Sequence, residues 1–207
     1  MSLFDQLDAW LARLSARGSM RGARRYLLDA IPEATRGRVA GVVRPLDGRV
    51  LEAPLSGRSC VYHAIEIHDR RASSERLIAT EQRSIPFLLE DATGRAVVDP
   101  EHARFLCAFD HGSQSKAAFD ADPRQRALLG RFELVHRDWW NTTQLRYRES
   151  VIAVDEPITV VGMGVREPDP DGPPSIERGY REAGPTRMYF TGTAKHPLLL
   201  LDDPRLA

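Results

Sequence analysis

The 207 residues suffice for one sizeable hydrophobic core and fall short of two domains of ordinary size. Lysine plus arginine equal aspartate plus glutamate at 29 each, which excludes a global field drawing the chain to nucleic acid, anionic membrane or acidic substrate. Two cysteines, Cys60 and Cys107, are too few for a zinc site without histidine help and read as buried thiols of a reducing compartment.

Ser2 is placed to cap a helix whose apolar residues, Leu3, Phe4, Leu7, Trp10, Leu11 and Leu14, recur at three and four. Asp5 and Asp8 lie near its start and Arg13 and Arg17 near its end, as the helix dipole favours. So charged a start is no secretory signal, and no run approaches the roughly 18 to 20 apolar residues of a membrane span. The expectation is a soluble, cytoplasmic chain. Gly18 stops the helix, and a shorter helical piece is expected over 23–30, before Pro32. Residues 1–35 thus read as an N-terminal helical segment that packs on the β-structure or covers an open edge of it. Trp10 with Arg21, Arg24 and Arg25 forms a candidate surface for a partner or a membrane face.

From residue 38 the apolar period changes from helical to alternating. A strand over 38–44 carries Gly41 in its interior, the mark of a bulge or a sharp barrel bend. Leu46-Asp47-Gly48-Arg49 is a turn, and residues 50–55 lead into the stretch APLSGRSCVYHAIEI over 53–67. There Cys60, Tyr62 and Ala64 point one way and Val61, His63, Ile65 and Ile67 the other, so both faces are apolar and the strand is central. Residues 68–75 are charged and read as a loop, and 76–83 resume the alternation.

Phe87-Leu88-Leu89-Glu90, a turn through Asp91-Ala92-Thr93-Gly94, and 95–99 form a hairpin. Pro100 ends it, and one helical turn is expected over 101–105. Asp122-Pro123 starts a helix with Leu128, Leu129 and Phe132 on its apolar side. Residues 145–154 and 158–165 read as a strand pair around Asp155-Glu156-Pro157. EPDPDGPP over 167–174 reads as a surface loop, and short strands near 187–193 and 197–201 close the chain. Helices followed by short strands with one helical insertion argue for a small barrel or sandwich, mainly β or α+β.

No catalytic constellation emerges. Gly162-Met163-Gly164 lacks the third glycine of a nucleotide loop, and the six histidines offer no i, i+4 pair. Glu90, Asp91 and Asp99 cluster at the hairpin, where turn chemistry and solvation account for them. Neither Ser56 nor Ser59 sits in a nucleophile elbow, and Cys60 lies where the chain is apolar on both faces. No cofactor, metal or small-molecule substrate is implied. Trp139 and Trp140 beside Arg137, and Tyr147 between Arg146 and Arg148, have the chemistry of a single-strand nucleic-acid surface, against which the zero net charge argues.

Three ordered pieces carry a resemblance: Pro54-Leu55-Ser56 through Cys60-Val61-Tyr62; Pro86-Phe87-Leu88-Leu89-Glu90-Asp91 with Thr93-Gly94-Arg95-Ala96-Val97-Val98; and Tyr147-Arg148-Glu149 followed by Ile158-Thr159-Val160-Val161-Gly162. Together they resemble the GIDE, or beside-a-membrane, domain of mitochondrial RING-type ubiquitin ligases and of many bacterial and archaeal proteins. The resemblance spans about 36–201 and implies an OB-like, barrel-like β domain over 36–207. It also implies a place beside membrane helices and, in the eukaryotic ligases, a separate RING finger. Two cysteines cannot furnish a RING's zinc ligands, so ligase activity is not carried over. The expectation is a non-enzymatic interaction or scaffold domain, at a membrane surface or in a ubiquitin-ligase-like or stress-response assembly. Its candidate contact residues are Trp10, Arg21, Arg24, Arg25, Trp139 and Trp140.

Overall fold

Alternating apolar residues build two β-sheets in this protein. The computed structural model describes residues 22–71, 74–116, 120–134, 144–172 and 184–202. The expected N-terminal helix with Trp10 and Arg21, and the pair Trp139 and Trp140, lie outside those residues.

The larger sheet contains β1 (Arg24–Arg25), β2 (Gly37–Pro45), β6 (Phe87–Glu90), β7 (Arg95–Asp99), β8 (Ala103–Leu106), β11 (Pro157–Gly162), β12 (Gly164–Pro168), β13 (Thr186–Thr191) and β14 (Leu198–Leu201). Its order is β12-β13-β7-β6-β2-β11-β14-β8, with β1 beside β2. Strands β13 and β14 stand far apart in that order, yet Met188, Phe190, Leu198 and Leu200 share one core with Val39, Val43, Phe87, Leu89 and Val160. The sheet is therefore curled around its interior, as the barrel-like expectation required.

The smaller sheet contains β3 (Leu51–Glu52), β4 (Ser59–Arg71), β5 (Ser74–Ser84), β9 (His111–Lys116) and β10 (Gln144–Ala153). Strand β4 is central, paired with β10 along one edge and with β3 and β5 along the other. Its first half enters the main core: Val61 and Tyr62 are buried there, and Tyr62 stacks on Phe105 of β8 with ring centroids 3.7 Å apart. Its second half leaves that core and is covered on one face by α1 (Pro123–Arg131), through Ile65, Ile67, Leu128, Leu129 and Tyr147. Asp122 caps α1 in a reciprocal capping box with Gln125, as Asp122-Pro123 foretold. The turn at Asp47-Gly48 has positive φ at both residues, 52° and 70°, the type I′ geometry that matches strand twist.

Several expectations are corrected. Residues 23–30 hold β1 and turns instead of a helical piece, and Leu28 and Ile31 insert into the main core. Residues 68–75 are not a loop, because β4 runs to Arg71 and β5 starts at Ser74. Cross-strand ion pairs to Arg146 and Arg148 of the neighbouring β10 suit these charged residues to a sheet. The expected helical turn at 101–105 is a tight turn leading into β8, which gains a parallel partner in β14. The strands around Asp155-Glu156-Pro157 are not paired with each other. β10 belongs to the smaller sheet and β11 to the larger, and the turn between them bonds to Val43 of β2 on both sides. Glu167 and Pro168 belong to β12, and Asp169 is a buried carboxylate, held by Arg95 through contacts of 2.6 and 2.7 Å.

Candidate functional site

The two faces of the smaller sheet have opposite chemistry, and the strand period decides which residue joins which. On the covered face, Glu149 of β10 is fully buried, and its carboxylate accepts the backbone N–H groups of Leu55 at 2.7 Å and Ser56 at 2.9 Å. That carboxylate clamps the turn before β4, whose Gly57 has a positive φ of 72°. His63 is buried on the same side of β4, and burial lowers its proton affinity. Cys60 is buried beside them. Burial, then the neighbouring Glu149, pushes its thiol up to about 11, the reverse of an activated nucleophile. Cys107 is likewise raised by burial, and neither cysteine is in a disulfide.

The hairpin carboxylates are occupied structurally. Asp91 accepts from Leu28 N at 2.8 Å and from Thr93 and Gly94 of its own turn, Glu90 pairs with Arg44 at 3.2 Å, and Asp99 accepts the Tyr189 hydroxyl at 2.8 Å. Among the described residues, no group of histidine, cysteine, aspartate and glutamate could hold a metal ion.

The other face carries ions. Register places Glu66 opposite Arg148 and His68 opposite Arg146. Arg148 reaches Glu75 at 3.0 Å and Glu66 at 4.0 Å, and Arg146 reaches Glu75 at 3.4 Å. His68 is buried between the same two carboxylates, its Nε2 2.8 Å from Glu66. On the far side of β10, Gly112 of β9 lies opposite Arg148 and Gln114 opposite Arg146. The missing side chain at Gly112 helps to open a cleft of about 310 Å³, lined by Phe109, Asp110, Gly112, Gln114, Arg146 and Arg148. Phe109 is 41% exposed, and the Arg148 guanidinium stands 6.0 Å from its ring centre.

Of the residues singled out in the sequence, Arg24 and Arg25 are exposed on β1, Arg24 lying 5.4 Å over the Tyr26 ring. Tyr147, flanked by arginines that face the cleft, is fully buried with its hydroxyl 3.1 Å from Ser115, so it offers no stacking platform. Strand β9, His-Gly-Ser-Gln-Ser-Lys, escaped the sequence reading because it has no apolar alternation. Its only signal was the polar alternation of Ser113 and Ser115 with Gln114 and Lys116.

The match to known families covers most of the smaller sheet and five strands of the larger. Residues 62–185 match the GIDE family, described as E3 ubiquitin ligase, from Tyr62 in β4 through the end of β12 to the residue before β13. The chain belongs to the GIDE family. No curated protein and no solved structure matches it.

Proposed function

We propose that these residues form a non-enzymatic interaction domain that positions partner proteins within a ubiquitin-ligase-like assembly. The observation that carries this reading is where the family match falls: on strands whose chemically capable side chains are committed to the fold. Within the matched residues Glu149 is bound to two backbone amides and Asp169 to Arg95, and just ahead of them Cys60 is a buried, protonated thiol. Such a domain contributes surfaces rather than reacting groups. A conjugating-enzyme thioester assay tests it. The full chain is expected to leave the discharge of ubiquitin to free lysine unchanged, and acceleration would overturn the non-enzymatic reading.

The domain acts next to a membrane in this proposal, with residues 1–18 as the contact, since their apolar stripe and flanking arginines suit an interface. Among the described residues no helix is long and apolar enough to cross a membrane. Flotation with vesicles of phosphatidylcholine and phosphatidylserine is expected for the full chain and not for one lacking residues 1–18. Equal flotation of both, or of neither, removes the membrane role.

A further inference from the structure

We propose that the cleft between β9 and the arginine row of β10 receives an extended, acidic segment of a partner protein. The segment lies along the outer edge of β9 with a carboxylate side chain above Gly112. This deepens the interaction-domain reading and rests on it.

Strand β9 ends the smaller sheet, and among the described residues no strand pairs with its outer edge. An edge strand presents backbone N–H and C=O groups that an extended segment can take up. Edges are commonly guarded by lysine, proline or a bulge. Here the pairing of β9 with β10 is regular from His111 to Lys116, and the one lysine stands at the far end, leaving Gly112-Ser113-Gln114 open.

Spacing then selects the side chain. Adjacent strands lie about 4.8 Å apart, so a strand added to β9 would run roughly 10 Å from β10. A glutamate on it and Arg148 bridge that gap unobstructed where the residue between them has no side chain, and Gly112 is the residue opposite Arg148. The charge agrees. Asp110 is already paired with Arg58, so the cleft offers Arg146 and Arg148. Glu66 and Glu75 approach these two arginines from the β4 and β5 side and are not part of the cleft lining. They orient the guanidiniums, each of which carries five N–H donors, more than those ion pairs use. Phe109 at one end supplies an exposed apolar surface for a neighbouring aliphatic side chain. A run of phosphates suits the place less well, because Glu66 and Glu75 stand directly behind the arginines.

The test is a selection from a displayed library of random dodecapeptides on the full chain, followed by fluorescence anisotropy of the enriched peptides. Two variants are compared, Gly112→Val and Arg148→Gln. The backbone at Gly112 accepts a Cβ, whose nearest neighbour would be the Tyr147 carbonyl oxygen at 3.5 Å, and valine is a strong strand former. The expected result is enrichment of peptides with aspartate or glutamate among β-branched residues, and at least tenfold weaker binding to each variant. Enriched peptides that bind Gly112→Val as well as the original chain would overturn the cleft while leaving the interaction-domain reading intact. Absence of enrichment, enrichment of basic peptides, or displacement of the peptide by micromolar oligo-dT at physiological salt would also overturn the proposal. Failure of the broader reading would register separately, as ubiquitin discharge.

Discussion

His63 and Asp202 show how burial alone sets a residue's response to acid. Burial disfavours the charged imidazolium of His63, lowering its proton affinity from the usual 6.5. The unfolded chain takes up a proton near that pH and the folded chain does not, so stability is present above it and falls as the pH drops below it. His63→Phe is expected to flatten the loss of urea resistance between pH 7.5 and 5.5. An unchanged slope would show that His63 is not its source. Asp202 has the opposite sign. Burial raises its carboxyl from 3.8 to about 6, the neighbouring Glu156 adding to the rise and the Ala108 N–H opposing it. The stability from its protonated form is complete below the unfolded value and is lost as pH rises through about 6. Asp202→Asn should therefore raise stability by on the order of 1 kcal/mol at about pH 8, after allowing for partial exposure, and leave it unchanged at about pH 3. Melts at both pH values check it. None of this was readable in the sequence, where His63 is one more member of an apolar run and Asp202 one of two consecutive aspartates near the C-terminus.

At the scale of elements, local chemistry was readable and partnership was not. Strands β2, β4, β6, β7 and β13 and helix α1 announced themselves by period, turn residues and the Asp122-Pro123 cap. Gly41 reads in the sequence as a bulge or a sharp bend, and the physical reason for a glycine there is contact: a Cβ would stand 2.5 Å from the Glu90 carbonyl oxygen and 3.0 Å from Leu89. Gly41→Ala is thus expected to lower stability by about 2 kcal/mol, by prising β6 from β2. A melting temperature equal to that of the parent chain would refute the close approach. The charged tip of β4 and β5 reads as a loop in the sequence because the partners of Glu66 and Glu75, Arg146 and Arg148, lie on β10, far along the chain. β8 and β9 were missed for a similar reason. Ala-Arg-Phe-Leu and His-Gly-Ser-Gln-Ser-Lys have no two-sided pattern, and each is a strand by virtue of a partner distant in the sequence.

At the scale of the molecule, the two sheets are joined by the few residues that cross between them. Tyr62 and Phe105 stack across the join, and the turn through Asp155 and Glu156 passes the chain from β10 to β11 while bonding to Val43. The segment before β2 belongs to the same body, since Leu28 and Ile31 are buried in the main core and Leu28 N donates to Asp91 of the distant hairpin. Leu28→Ala is expected to cost about 3 kcal/mol in chemical denaturation, the range of a buried leucine truncation. A cost within experimental error would place that segment outside the cooperative unit.

By itself the sequence determined the β-rich class, the central strand and the family, because alternation, turn residues and ordered short motifs are local properties that survive without a partner. Only the tertiary structure decided which strands pair, that Asp169 and Tyr147 are buried, and that Arg146 and Arg148 share a cleft over Gly112. Those facts depend on strand register between distant segments, and register is fixed by packing against a core that no short stretch of residues contains.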